Sequence, residues 1–385
     1  MHDDFEQVFS KLIAFPTVSA DSNLDLIHFV ANRLNEVGAK IELQQDESGK
    51  KANIFATIGP DIAGGIVLSG HTDVVPVAGQ NWSKDPFALT AHEGKYFGRG
   101  TCDMKGFLAV ALNAAPLFSS LDLRVPIHFA FTYDEEVGCL GGQELAKLLR
   151  NRPHLPKAAI VGEPTKMQIV DGHKGCCEYT VQFEGLAGHG SMPEKGVNAA
   201  EYAARFVSKL MQLRELLKDR APTNSKFDPP WTTINVGRLA GGSAHNVIVS
   251  QAEVDWEMRP VTALDAVWVK TTLQEFCDQT LLPEMRTIWP GANITNQTIG
   301  EILGLVPMQS NSAREIVARL TGTNETHLVA FGTEAGLFQQ LGVETIVCGP
   351  GSIEQAHKAD EFIEMAQIAA CQNLLEKLAY SLAEG

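Results

Sequence analysis

Residues 65–76 read GIVLSGHTDVVP. An apolar run at 65–69 ends at a glycine, and a turn then presents His71 and Asp73 ahead of a proline. Short apolar runs bounded by turn signals are what strands buried on both faces look like, and parallel sheets are made of such strands. The pattern recurs. IHFAFTY at 127–133 leads into Glu135 and Glu136 of DEEVG, and AAIV at 158–161 leads into Glu163 of GEPT. Helical stretches separate these runs, so an α/β fold is expected, a mostly parallel mixed sheet flanked by helices. Such sheets carry ligands and catalytic groups beyond the carboxyl ends of their strands, which is where these residues fall.

Two further residues join the set, Asp103 in GRGTCDMKG and His357 in EQAHKADE. Imidazoles and carboxylates together make a nitrogen and oxygen ligand set suited to zinc or a similar divalent ion such as cobalt. One zinc takes four ligands, so the supply is generous for one ion and about right for two sharing a carboxylate. Each residue has an ordinary alternative. Asp103 could cap a helix, GEPT could be a proline turn, and a histidine after a strand is often structural. Adjacent carboxylates such as Glu135 and Glu136 repel each other unless a cation or a proton intervenes. The recurrence at strand ends favours a centre for divalent metal.

The chain has 385 residues and can bury the cores of two or three domains. A net charge of −15 without a basic cluster argues against nucleic acid or an anionic membrane as partner. No apolar run is long enough to span a bilayer, and MHDDFEQ carries no secretory signal. Seven cysteines in such a chain read as reduced thiols, and a cytoplasmic location is expected. Helices are expected over 5–14, 23–37, 104–118, 199–217, 263–282 and 313–320. After Gly175 the texture changes, because CEYTVQFEG alternates strictly. Strands and helices over 177–295 suggest an inserted α+β sandwich, with 1–176 and 296–385 forming a discontinuous metal-binding domain.

HTDVVP, GRGTCDMKG, DEEVG, GEPT, GHGSMP and AHKADE, in this order, resemble the co-catalytic zinc amidohydrolases and peptidases. Within that superfamily, GHKG at 172–175, TEAG at 333–336 and GPGSIEQAH at 349–357 most resemble the acetylornithine deacetylase branch. The desuccinylase of succinyl-diaminopimelate and the broader aminoacylases are the rival branches, and a non-catalytic binding homologue is a remote one. The resemblance implies hydrolysis of an N-acyl amino acid, N2-acetyl-L-ornithine first, with two ions, zinc or else cobalt. It implies that His71 and Glu163 complete one ion site and Glu136 and His357 the other, about a bridging Asp103. Asp73 would orient the His71 ring. Glu135, spare among the carboxylates, would take a proton from water and return it to the departing amine. A non-catalytic homologue would have no need of that base.

The inserted segment supplies His189 of GLAGHGSMP, which the resemblance assigns to the neighbouring subunit's site in a homodimer, where it would meet the oxyanion. Arg259 of WEMRP resembles the grip on the substrate carboxylate, and a structural salt bridge is its alternative. Asn246 would assist. The amides of Gly349 and Gly351 could also meet that carboxylate. For a substrate ammonium, Glu334 and Glu354 are the candidates, and cap or surface roles fit both.

Overall fold

The computed structural model describes residues 2–384. They form two compact units, 2–172 with Leu305–Leu328 and 333–384 in one, and His173–Gly304 with Val329–Gly332 in the other. The first is built on an eight-stranded sheet. Its order is Lys40–Gln45, Ala52–Ile58, Ile127–Thr132, Ile66–His71, Ala158–Pro164, Glu344–Gly349, Ile169–His173 and Thr326–Val329. The central junctions, from Ile127–Thr132 across to Glu344–Gly349, are parallel. Those made by Ala52–Ile58 and between Glu344–Gly349 and Ile169–His173 are antiparallel. The α/β expectation therefore holds, with a mixed sheet flanked by helices whose central strands run parallel.

Ile66–His71, Ile127–Thr132 and Ala158–Pro164 are buried at every position, which is why they read as continuous apolar runs. Helix Lys105–Ser120 lies between the sheet and the helices His2–Ile13 and Met365–Glu384. Phe107 and Leu108 share one core with Phe9, Leu12, Leu68, Phe129 and Leu375. At Gly162 the contact is so close that a β-carbon would stand 2.1 Å from the Phe107 ring. Any side chain there would push the strand carrying Glu163 off the helix.

The helix expected over 104–118 runs Lys105–Ser120 and passes through Pro116, which donates no backbone hydrogen bond. Met104 occupies the N-cap position and no side chain caps the helix. Asp103 is therefore not spent as a cap.

The second unit carries a four-stranded antiparallel sheet, ordered Thr233–Gly241, Gln251–Arg259, Cys176–Glu184 and Asn293–Ile302. Alternation in Cys176–Glu184 turns Cys177, Tyr179, Val181 and Phe183 into a core with Phe206 and Leu210 of helix Ala199–Lys218 and Val269 of helix Ala263–Phe276. The helix expected to run unbroken over 263–282 is interrupted. A π turn occupies Cys277–Leu281, and a new helix, Leu282–Ile288, starts around Pro283, which has no N–H to extend the old one. No described helix is long and apolar enough to cross a membrane.

Candidate metal centre

Strand register brings the side chains together. Ser69 pairs with Val161, and His71 with Thr132. Side chains alternate along a strand, so His71 and Glu163, each two residues beyond the first pair, leave neighbouring strands on one face. His71 Nε2 lies 3.7 Å from Glu163 Oε1. Asp103 enters from the turn before helix Lys105–Ser120. Its Oδ1 is 3.0 Å from His71 Nε2 and its Oδ2 3.3 Å from His357 Nε2. Glu136 Oε2 approaches the same His357 nitrogen at 3.0 Å. One carboxylate thus faces both imidazoles, and each imidazole faces a glutamate besides.

Atoms bound to one zinc ion at about 2.0–2.2 Å and tetrahedral angles stand about 3.4 Å apart, and the spacings here match. Donor atoms of His71, Asp103 and Glu136 lie within 4.8 Å of one another, as do those of His71, Glu135 and Glu163. Burial pushes the carboxyls of Glu135 and Glu163 well above their usual range, and the charges of neighbouring carboxylates add to it. Burial and Asp103 push Glu136 up to about 6. Burial opposes the ionised form of Asp103 too, yet hydrogen bonds from His357 and His71 hold it below the usual carboxylate range. His71 is held well above its ordinary value: burial works against its charge, but Asp103 and Asp73 outweigh burial. His357 is raised to about 10 by its bonds to Asp103 and Glu136. A buried cluster in which carboxyls resist ionising and imidazoles keep protons favours positive charge among its oxygens. Divalent cations displacing those protons fit it.

Asp73 acts mainly on the backbone. His71 Nδ1 meets the main-chain carbonyl of Asp73 at 2.9 Å, nearer than the carboxylate at 3.5 Å. A proton on Nδ1 satisfies that carbonyl and leaves Nε2 turned to Asp103 and Glu163. The Asp73 carboxylate accepts the amides of Glu135 and Glu136 at 3.0 and 3.3 Å and the Ser19 hydroxyl at 2.7 Å. It therefore fixes the turn bearing the glutamate pair. Glu135 Oε1 accepts the Cys139 thiol at 3.4 Å.

Three expectations meet a different geometry. Glu334 precedes helix Ala335–Gln340 and is fully buried. Its Oε2 accepts the Ser69 hydroxyl at 3.2 Å and its Oε1 the Thr132 hydroxyl. It ties together the strands that lead to His71 and Glu135, and offers no surface to a substrate ammonium. The Gly349 amide donates to Thr165 Oγ1 at 3.1 Å, and the Gly351 amide to Gln367 Oε1 at 3.3 Å. These amides serve the fold instead of facing a ligand. Glycine is needed at 349 because a β-carbon would stand 2.0 Å from the Gly162 carbonyl oxygen. Glu354 is exposed, 3.8 Å from Lys166 Nζ.

In the second unit, Gly188–His189 pairs with Val247–Ile248, and the Gly190 amide donates to the Asn246 carbonyl at 2.8 Å. His189 and Asn246 are thus neighbours, both exposed, with His189 Nδ1 2.8 Å from Ser191 Oγ. Arg259 ends its strand half-buried, its Nη2 2.7 Å from Glu257 Oε2.

Sequence reasoning passed over Glu361. It is fully buried, and its carboxylate accepts Arg99 Nη1 at 2.7 Å and the amides of Gly100, Cys102 and Asp103 at 3.0, 2.8 and 3.1 Å. The signal lay in AHKADE, read only for its histidine.

The family model described as Peptidase family M20/M25/M40 matches residues 67–381. An acetylornithine deacetylase of Proteus mirabilis (strain HI4320) is 38% identical over 384 residues, covering 97% of this chain and 95% of the relative. One of Klebsiella pneumoniae (strain 342) is 34% identical, covering 98% and 97%. Among solved structures, an M20 family metallo-carboxypeptidase of Sulfolobus solfataricus superposes with a TM-score of 0.78 at 18% identity, over 99% of this chain and all of the other. A Bacillus subtilis dinuclear metal binding peptidase from the M20 family does so at 0.65 and 15%, over 100% and 98%. These likenesses are of fold. Taken with the match over 67–381 and the two relatives above, they close the question of kinship: the chain is a hydrolase of peptidase family M20/M25/M40.

Proposed function

We propose that the chain is a metal-dependent amidohydrolase that cleaves N2-acetyl-L-ornithine to L-ornithine and acetate. The observation that carries the reading is Asp103, which presents one oxygen to His71 and the other to His357, with Glu163 and Glu136 beside them. The substrate is supported by the two relatives named acetylornithine deacetylase and by the GHKG, TEAG and GPGSIEQAH stretches.

His71, Asp103 and Glu163 would hold one divalent ion, and Asp103, Glu136 and His357 a second, zinc or else cobalt. Ions bound there lower the pKa of water and polarise a carbonyl. Glu135 accepts a proton from the attacking water as its oxygen bonds to the acyl carbon, and passes it to the amine nitrogen as the carbon–nitrogen bond breaks. His189, contributed by the second unit of a partner in a homodimer, donates to the oxyanion that forms on the carbonyl. Asn246 supports the loop opposite His189. Arg259 exchanges Glu257 for the substrate α-carboxylate, which its planar fork fits in a bidentate pair.

The test is turnover by the zinc- and cobalt-loaded protein on N-acetyl-L-ornithine, N-acetyl-L-methionine and N-succinyl-diaminopimelate. N-acetyl-ornithine is expected to give the highest kcat/KM. A higher value for the succinyl compound would reject the branch, and no turnover on any of them by protein carrying both ions would reject the catalytic reading.

A further inference from the structure

We propose that Gln80, Arg99 and Glu361 form a positioning network that sets the ion affinity of the Asp103, Glu136 and His357 site; this rests on the metal-dependent reading above. The supports of the ligand residues are unequal. His71 and Glu163 belong to buried strands, Asp103 runs directly into a helix, and the Glu136 amide is held by Asp73. His357 has neither strand nor helix beneath it. It lies in a turn between the short 3-10 turn Ile353–Gln355 and the strand Phe362–Glu364, at φ 62°, with its side chain 54% exposed.

The network reaches that turn, as does the Ser83 amide, which donates to Asp360 Oδ1 at 2.9 Å. Phe362–Glu364 pairs antiparallel with Lys95–Phe97, so Glu361 comes to lie against the segment that leads into Asp103. Its carboxylate takes the amides there together with Arg99 Nη1. Arg99, itself buried, donates Nη1 to the Lys358 carbonyl at 3.4 Å and Nη2 to Gln80 Oε1 at 2.6 Å. Trp82 Nε1 donates to the same Gln80 oxygen at 3.1 Å, which fixes the orientation of the amide. Gln80 Nε2 is thereby aimed at the main-chain carbonyl of His357, 3.0 Å away. An unbroken series of hydrogen bonds thus runs from the amide of Asp103 to the carbonyl of His357. Those two residues face each other across the second ion site, and the network fixes the span between them. Partners that orient metal ligands from outside the coordination sphere typically change affinity about 10–100-fold when lost.

Chelator-treated wild type, Gln80→Glu and Glu361→Gln are titrated with Zn2+ against a competing chelator, and circular dichroism melts of the metal-free forms check folding. Gln80→Glu keeps the acceptor for Arg99 and Trp82 but turns an oxygen, in place of a donor, towards the His357 carbonyl. Wild type is expected to bind two ions. Gln80→Glu is expected to bind the first with unchanged affinity and the second about 10–100-fold more weakly, and Glu361→Gln to weaken the second at least as much. Should Glu361→Gln fail to fold, Gln80→Glu decides alone. Equal weakening of both ions, or unchanged affinity for both, overturns the network's role. A wild type that binds fewer than two ions overturns the metal reading itself, and this inference with it.

Discussion

Glu135→Gln separates a proton carrier from a metal ligand, because the amide matches the carboxylate in shape and differs in basicity. The surroundings are kept: the backbone amide still reaches Asp73 Oδ1 at 3.0 Å, and a side-chain oxygen remains for the Cys139 thiol. Loss of a positioned base costs about 10²–10⁴-fold in rate, which is about 2.7–5.5 kcal/mol on the barrier. The geometry leaves a rival, since the donor atoms of His71, Glu135 and Glu163 lie within 4.8 Å of one another and could surround an ion together. The two roles diverge in metal content. A base that is not a ligand predicts a variant with two ions per chain, unchanged KM for N-acetyl-ornithine, and kcat lowered by that factor. Steady-state kinetics and metal analysis on the same preparation decide. Loss of one ion, or activity within a few-fold of wild type, would refute the assignment.

Other outcomes follow from the same geometry. If His189 completes the partner's site, mixing inactive His189→Ala with inactive Glu135→Gln subunits restores part of the activity once subunits exchange; no recovery after confirmed exchange removes it from that role. Glu334→Gln is expected to lower kcat/KM alike for N-acetyl-ornithine and N-acetyl-methionine, because both its oxygens are engaged by Ser69 and Thr132. A loss confined to the ornithine substrate would return Glu334 to the substrate pocket. His128 and His173 are buried, and burial holds each at about 4 against an ordinary 6.5. The unfolded chain therefore binds their protons first. The contribution of these two histidines to stability is whole above about pH 6.5 and falls as pH drops towards 4, by about 1.4 kcal/mol per unit for each. Urea melts at pH 7 and pH 5 measure this, and a His128→Gln protein with the same pH slope as wild type would contradict it.

The parts legible in the sequence are those that local pattern encodes. Ile66–His71, Ile127–Thr132 and Ala158–Pro164 announce themselves because burial on both faces leaves no polar position to interrupt the run. His71, Glu135, Glu136 and Glu163 were findable because each lies at or just past such a strand's end. Only two residues separate Asp73 from His71, and that spacing marks it as a partner for the ring. Its carboxylate turned out to serve amides 62 and 63 residues away. The partners of Glu334 lie 265 and 202 residues off, and the Asp103 amide lies 258 residues from Glu361. No periodicity records such pairings, and a buried carboxylate looks the same in sequence as a solvated one. The π turn at Cys277–Leu281 was hidden for another reason, since apolar spacing carries through it while the backbone changes pitch.

His357 and Glu136 stand 221 residues apart along the chain, and the whole of His173–Gly304 is strung between them. Synthesis proceeds from the amino terminus, so His71, Asp103, Glu136 and Glu163 exist as a group long before His357 has been added. The second unit, with its own core around Tyr179, Phe206 and Trp256, is also complete by then. Closure of the cluster by its last imidazole consequently waits until the whole of the second unit has been synthesised. It is a long-range event of the kind that slows folding. On the metal-dependent reading, uptake of a cation held by His357 would therefore report that the second unit has already been made.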